Sequence, residues 1–401
     1  MNSPTLVTAR RQTENRRTAW AIVALAMGGF GIGTTEFAIM GLLQNVAAGL
    51  DVSIPESGHL ISAYALGVVV GAPLLAALGA KLPHKHMVLG LMVLFTLGNL
   101  SSVFAPDYAT MLATRFISGL PHGAYFGVAA VLAASLVSPT RRAQAVAMVM
   151  LGLSVANVVG VPLVTWLGQQ YGWRLMFVAV GIVGAVTILM LQRLVPFTPA
   201  HAEAGIRREL GALKRIQVWL ALLIGVVGFG GFFAVYSYIS PTMTEVTGLA
   251  PAALPLIVGL YGLGMVVGTF IGGKLADRSV MGTIYQVMTA IIVILVFFWA
   301  ASSIAALAIP LVFLLGAAGS SLIPALQTRL MDASPNAQTL AASLNHSALN
   351  MANALGAFLG GLVISWGWGY AAPALVGAVL ASLGLVIAAL SGALEKRRSL
   401  A

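Results

Sequence analysis

The run AWAIVALAMGGFGIGTTEFAIMGLL, from Ala19 to Leu43, decides the fold of this chain. Its roughly 25 residues would make about 37 Å of helix, enough to cross a hydrocarbon core about 30 Å thick. One acid, Glu36, sits deep inside it. Burying a carboxylate at that depth costs several kcal/mol, so an acid there marks function by default.

Runs of spanning length recur along the chain. They fall at about 19–43, 57–79, 86–105, 109–136, 143–168, 173–192, 217–240, 252–273, 280–301, 304–328, 338–365 and 369–392. Of the 401 residues, 59% are hydrophobic and 8% charged, whereas about a quarter of a soluble domain is charged. The pattern is that of an all-α membrane protein with twelve transmembrane helices.

A net charge of +10 would suit a nucleic-acid partner, but the basic residues lie where membrane topology puts them. Arg10, Arg11, Arg16, Arg17, Lys81, Lys85, Arg141, Arg142, Arg193, Arg207, Arg208, Lys214, Arg215, Lys274, Arg278, Arg329, Lys396, Arg397 and Arg398 all fall on the side of the N-terminus. Arg115 lies inside a span. Arg174 is alone on the other side, whose loops carry Asp51, Glu56, Asp107 and Glu245. The positive-inside rule then puts both termini in the cytoplasm, which an even number of spans satisfies. Eleven further runs follow the first, so no cleavable signal peptide is expected. With no cysteine, disulfides and thiolate chemistry are excluded. No phosphate-binding glycine loop is present, and neither cofactor nor metal is expected.

The chain divides as a tail at 1–18, a six-helix half at 19–193, a cytoplasmic linker at 194–216, a second six-helix half at 217–392 and a tail at 393–401. The halves repeat. SPTRRAQAVAMVMLGLSVANVVG from Ser138 aligns with SPNAQTLAASLNHSALNMANALG from Ser334, an offset of 334 − 138 = 196, pairing Pro139 with Pro335, Asn157 with Asn353 and Gly160 with Gly356. YALGVVVG from Tyr64 aligns with YGLGMVVG from Tyr261, an offset of 261 − 64 = 197. Such a parallel repeat implies a pseudo-twofold axis along the membrane normal.

These features resemble the major facilitator superfamily, within it the twelve-span drug and sugar proton-antiporter branch of arabinose-efflux-like permeases. GTTEFAIMGLL, Gly33 to Leu43, is similar to that branch's first-span signature, and RFISGLPHGAYFG, Arg115 to Gly127, to its fourth-span motif. NVVGVPLVTWLG, Asn157 to Gly168, resembles the antiporter fifth-span motif, with Val161 interposed between Gly160 and Pro162. The loop motif between spans two and three is degenerate at Ala80, Lys81, Leu82, Pro83, His84 and Lys85. Its counterpart is complete at Gly273, Lys274, Leu275, Ala276, Asp277 and Arg278. The resemblance implies a cytoplasmic gate at Lys274, Asp277 and Arg278, and a central cavity lined by spans one, four, seven and ten.

By helical rise, Glu36 and Arg115 both lie roughly 7 Å outward of the bilayer centre, so an ion pair or water-bridged pair between them is feasible. Glu36 would carry the coupled proton; the alternative is a static pair that fixes helix packing. His122, two helical turns after Arg115, is either a proton relay or a hydrogen-bonded packing residue. Phe232, Phe233 and Tyr236, with Thr35 and Phe37 of the first span, are candidates for the substrate cavity, against a lipid-facing aromatic cluster. Asn345, His346 and Asn350 make a polar patch that must face protein or water, and Asn345 and Asn350 are further candidates for the substrate cavity. Asn157, Gly160, Pro162, Asn353 and Gly356 are read as packing positions, the two asparagines as interhelical hydrogen-bonding groups.

The sequence is thus read as a bacterial inner-membrane transporter that exports a small organic solute, such as a drug, sugar or nucleoside, by proton antiport and alternating access. Proton-coupled uptake on the same fold is the alternative. Loops too short for a signalling domain disfavour a sensor, and the lack of paired carboxylates or an activated nucleophile disfavours an enzyme. Expected partners are the solute, protons and the lipid bilayer, with no nucleic acid and with function as a monomer.

Overall fold

The computed structural model describes residues 4–79, 81–138, 141–198, 214–334 and 338–400. Outside them lie Ala80, Pro139, Pro335 and the middle of the linker, with Arg207 and Arg208. Among the described residues, twelve helices are long and apolar enough to cross a membrane. In chain order they are α1 (Arg16–Gly41), α2 (Ile54–Gly79), α3 (His84–Val103), α4 (Tyr108–Ser135), α5 (Gln144–Tyr171), α6 (Leu175–Leu194), α7 (Ile216–Ser237), α8 (Pro251–Arg278), α9 (Val280–Ala301), α10 (Ala305–Ala333), α11 (Leu344–Ser365) and α12 (Ala372–Lys396). Helix is what such runs must form in lipid, because it satisfies every backbone polar group internally.

The repeat read from the sequence is a repeat of packing. On α2, a β-carbon at Gly67 would collide with the Phe116 carbonyl of α4; on α8, one at Gly264 would collide with the Phe313 carbonyl of α10. Both pairs of positions differ by 197. Small residues here let the helix backbones touch, which is how membrane helices associate without a hydrophobic driving force between them.

Two spans depart from regular helix. Within α5, Ala156–Gly160 form a π-helical turn, immediately before the Val161 that interrupts the glycine–proline motif. The extra residue is absorbed as a wide turn. Within α7, Ile224–Gly228 form another, and a third follows that helix at Thr242–Val246.

Twelve crossings bring Arg16 and Lys396 to one end of the bundle, the terminal end. At the opposite, far end the two halves are fastened together. Gln44, just after α1, donates through Nε2 to Glu245 Oε1 at 3.0 Å, and its Oε1 accepts from Ser240 at 3.1 Å and Thr244 at 3.2 Å. Gln169 of α5 donates to the Pro251 carbonyl of α8 at 2.9 Å, and Ser62 of α2 to the Ala354 carbonyl of α11 at 3.0 Å. These clamps are hydrogen bonds between neutral groups, with one carboxylate.

At the terminal end, Lys274, Asp277 and Arg278 are exposed and form no ion pair among the described residues. The charge network of this end lies elsewhere, within the second half. Arg329 of α10 bonds Glu395 of α12 at 2.8 Å, Gln217 of α7 at 3.0 Å and Ser391 of α12 at 3.0 Å.

Candidate functional site

Successive residues on a helix point about 100° apart, and that rotation separates the roles of Thr35 and Glu36. Thr35 faces inward to its own half. Arg115, fully buried on α4, donates through one guanidinium nitrogen to Thr35 Oγ1 at 3.2 Å and through the other to the Thr35 carbonyl at 3.4 Å. The Thr35 hydroxyl in turn donates to Asn99 Oδ1 of α3, whose amide donates to the Phe95 carbonyl at 2.9 Å. The guanidinium also lies over the Tyr64 ring, 4.4 Å from its centroid, and 5.8 Å from that of Phe177. A cation buried in this way is held by neutral oxygens and ring faces.

The direct ion pair between Glu36 and Arg115 does not form. Glu36 is 5% exposed, and its carboxylate takes part in no hydrogen bond and no ion pair among the described residues. Phe37, the next residue of α1, meets Tyr236 of α7 at 5.8 Å, so this turn of α1, with Glu36, stands at the seam between the halves. Thr35, read from sequence as a cavity residue, is instead fully buried and bonded within the first half.

Aromatic rings line the other side of that seam. Phe37 stacks against Phe233 at 6.4 Å and meets Tyr236 at 5.8 Å. Tyr236 lies flat on Tyr261 of α8, with centroids 3.8 Å apart and planes 1° apart, and Phe232 packs against Tyr261 at 5.1 Å. None of these residues is more than 4% exposed, so the cluster is interior and not lipid-facing.

His122 of α4 shares a hydrogen bond between Nδ1 and the Tyr64 hydroxyl at 3.2 Å and sits edge-on to Phe126 at 5.4 Å. Phe126 then stacks on His346 of α11, centroids 5.9 Å apart and planes 4° apart. A histidine from each half thus flanks one phenylalanine.

The asparagines divide differently from expectation. Asn345 donates to Gln327 of α10 at 2.7 Å and so ties two helices together. Asn157 donates to Leu153 of its own helix at 3.0 Å, and Asn353 makes no hydrogen bond; neither forms the expected interhelical bond. The Asn157 bond is the same back-bond, to the carbonyl four residues earlier, that Asn99 and Asn350 make in their own helices. Beyond the π-turn, Pro162 reaches α8, 3.1 Å from where a β-carbon on Gly259 would stand, and a β-carbon on Gly160 would strike the Thr34 hydroxyl of α1. A β-carbon on Gly356 would strike the Gly230 carbonyl of α7, the equivalent close approach in the second half.

Tyr64, Asn99 and Gln44 belong to this machinery without having been singled out as candidates. An asparagine in the otherwise apolar α3 was the one legible signal among them. The others become visible only when helices are placed side by side.

A family model described as Major Facilitator Superfamily matches residues 25–312 and 222–399. The chain is 44% identical over 374 residues to the inner membrane transport protein YdhP of Escherichia coli strain K12, covering 93% of this chain and 96% of that protein. It is 30% identical over 372 residues to a chloramphenicol resistance protein of Streptomyces lividans, covering 91% and 94%. Among solved structures it is similar to a D-xylose–proton symporter, with a TM-score of 0.73 and 15% identity over 92% of this chain and 96% of that one.

Proposed function

The chain belongs to the major facilitator superfamily and is a secondary transporter, and from that premise we propose that it exports a small organic solute in exchange for protons. Glu36 carries this reading. It is a buried carboxylate with no hydrogen-bond partner, on the seam that must open and close when access alternates. Arg115 is already held by Thr35 and Tyr64, so it biases Glu36 through space and leaves the carboxylate free to exchange a proton.

Closure at the far end by Gln44, Gln169 and Ser62 supports a state whose solute site communicates with the terminal end. With the termini in the cytoplasm, as the distribution of basic residues favours, that state would load from inside. Lys274, Asp277 and Arg278 would then engage when the terminal end closes, which accords with their exposure in this state. Export is favoured over uptake by the GTTEF signature and by the relative named for chloramphenicol resistance.

The test is proton-gradient-driven flux in inverted membrane vesicles. Glu36→Gln is expected to abolish coupling while the protein still inserts and solubilises as a single species. Normal proton-driven efflux by that variant would show Glu36 to be scaffold.

A further inference from the structure

We propose that His346, Asn350 and Asn353 on α11 form the recognition stripe for an uncharged, ring-bearing solute that both donates and accepts hydrogen bonds. This rests on the export reading and narrows its substrate class.

Spacings of four and three residues put the three side chains on one face of a helix. The ring stack of His346 on Phe126 fixes the direction of that face, toward α4 of the opposite half. Asn345 lies off the stripe, and its bond to Gln327 shows what a packing asparagine does in this helix.

On the stripe both amides keep unpaired polar atoms. Asn353 is 1% exposed, and among the described residues neither its Nδ2 nor its Oδ1 has a hydrogen-bond partner. Asn350 is 4% exposed; its Nδ2 donates to the His346 carbonyl at 3.1 Å, and its Oδ1 is unpartnered. On α7 of the same half, the buried Tyr236 hydroxyl is also without a hydrogen-bond partner among the described residues. A buried amide with both ends unpaired weakens a fold, and its presence makes physical sense where a ligand supplies the complementary groups.

Those groups set the chemistry of the ligand. An amide and a phenol present a donor and acceptors without formal charge, so they reward hydroxyl and amide groups and offer no counter-charge to an ion. The two formal charges nearby have other partners or duties: Arg115 is bonded to Thr35, and Glu36 is assigned the proton. Flat apolar faces at Phe126 and Phe37 suit a ring. An uncharged solute would also leave Glu36 to the proton alone, so solute and proton need not compete for one carboxylate.

The full-length protein in proteoliposomes would be tested with three neutral probes, chloramphenicol, uridine and L-arabinose, and one cation, tetraphenylphosphonium. The expected result is proton-gradient-dependent movement of at least one neutral probe, reduced about tenfold or more in Asn353→Leu and Asn350→Leu and unchanged in Asn345→Leu. Melting of the purified variants separates recognition from scaffold. Asn353→Leu replaces an unpaired amide by an apolar group of similar size, so it should melt at or above the wild-type temperature, whereas a packing role would lower it. Lowered melting of Asn353→Leu, neutral-probe flux indifferent to both leucine variants, or movement of tetraphenylphosphonium alone would each overturn the proposal and leave the export reading standing. Failure of all four probes to move would count against both.

Discussion

Tyr64 and Tyr261 occupy the same place in the two halves, each with its carbonyl against a glycine of the crossing helix, Gly119 or Gly316, but their side chains meet different partners. In the first half the Tyr64 ring supports the Arg115 guanidinium at 4.4 Å and its hydroxyl meets His122. In the second, Tyr261 lies flat against Tyr236 at 3.8 Å and packs on Phe232. At the offset of 197 that relates the tyrosines, Arg115 corresponds to Val312 and His122 to Gly319. Glu36 corresponds to Phe232 or Phe233, at 196 or 197. One backbone plan thus carries charge in one half and rings in the other. The lesson is that packing and chemistry separate cleanly in a repeat: glycines at helix crossings hold the plan, and the residues beside them are free to diverge.

The sharpest way to break this contrast is to remove the charge. Glu36→Gln should lower proton-driven flux by about a hundredfold or more in vesicles while leaving expression and monodispersity intact. Arg115→Met tests the other charge. Loss of the cation leaves a Thr35 hydroxyl that still donates to Asn99, so the fold should persist, and pH-dependence of flux should shift relative to wild type.

Rebuilding the missing residue in the aromatic half should be costly in a different way. The Phe232 ring occupies the space that a side chain at Gly319 would need. Gly319→Ala should destabilise the purified protein by about 1–3 kcal/mol through overpacking, and Phe232→Leu in the same chain should recover part of it. Additive losses in that double-mutant cycle would show that the two positions do not compete.

Smaller again is the expected effect of the far-end clamp. Gln44→Ala removes three hydrogen bonds that cross between halves, a net contribution of about 1–3 kcal/mol. It should shift the population toward a far-end-open state by about tenfold or more, read as longer distances between spin labels. The chain has no cysteine, so labels can be placed without first removing any. Unchanged distances would mean that Gln169 and Ser62 suffice to hold the halves. The smallest effect separates the entries to α4 and α10. Asp107 accepts from the Thr110 amide at 2.8 Å, and this hydrogen bond holds its carboxyl below the usual range; Ile304 in the second half provides no such cap. Asp107→Asn should leave flux and melting near wild type, since asparagine caps comparably, whereas Asp107→Ala should lower melting slightly.

The twelve spans and the repeat were legible because lipid imposes length and hydrophobicity on each run separately, with no need to know its neighbours. Depth was legible too, which brought Glu36 and Arg115 to the same level. Rotation about each helix axis was not. It depends on which neighbour a face meets, and it separates Thr35 from Glu36 and Asn345 from Asn350. The missing ion pair follows from a single 100° step along α1. In the same way, the aromatic residues of α7 could have faced lipid by spacing alone, and only their partners Phe37 and Tyr261 turn them inward.

Two of the three far-end ties, those made by Gln44 and by Gln169, involve a segment that lies beyond a wide turn. Gln169 and Pro162 follow the turn at Ala156–Gly160 in α5, and Tyr238 through Glu245 follow the turn at Ile224–Gly228 in α7. Where the regular ladder of backbone bonds is interrupted, a helix bends at less cost than elsewhere. Each joint therefore divides its span into an inner and an outer segment: Arg142–Val155 and Val161–Tyr171 in α5, Ile216–Leu223 and the stretch from Gly230 onward in α7. Swinging the two outer segments is a smaller movement than rocking two whole halves, and it would release the Gln44 and Gln169 ties while the Arg115–Thr35–Asn99 assembly stays still.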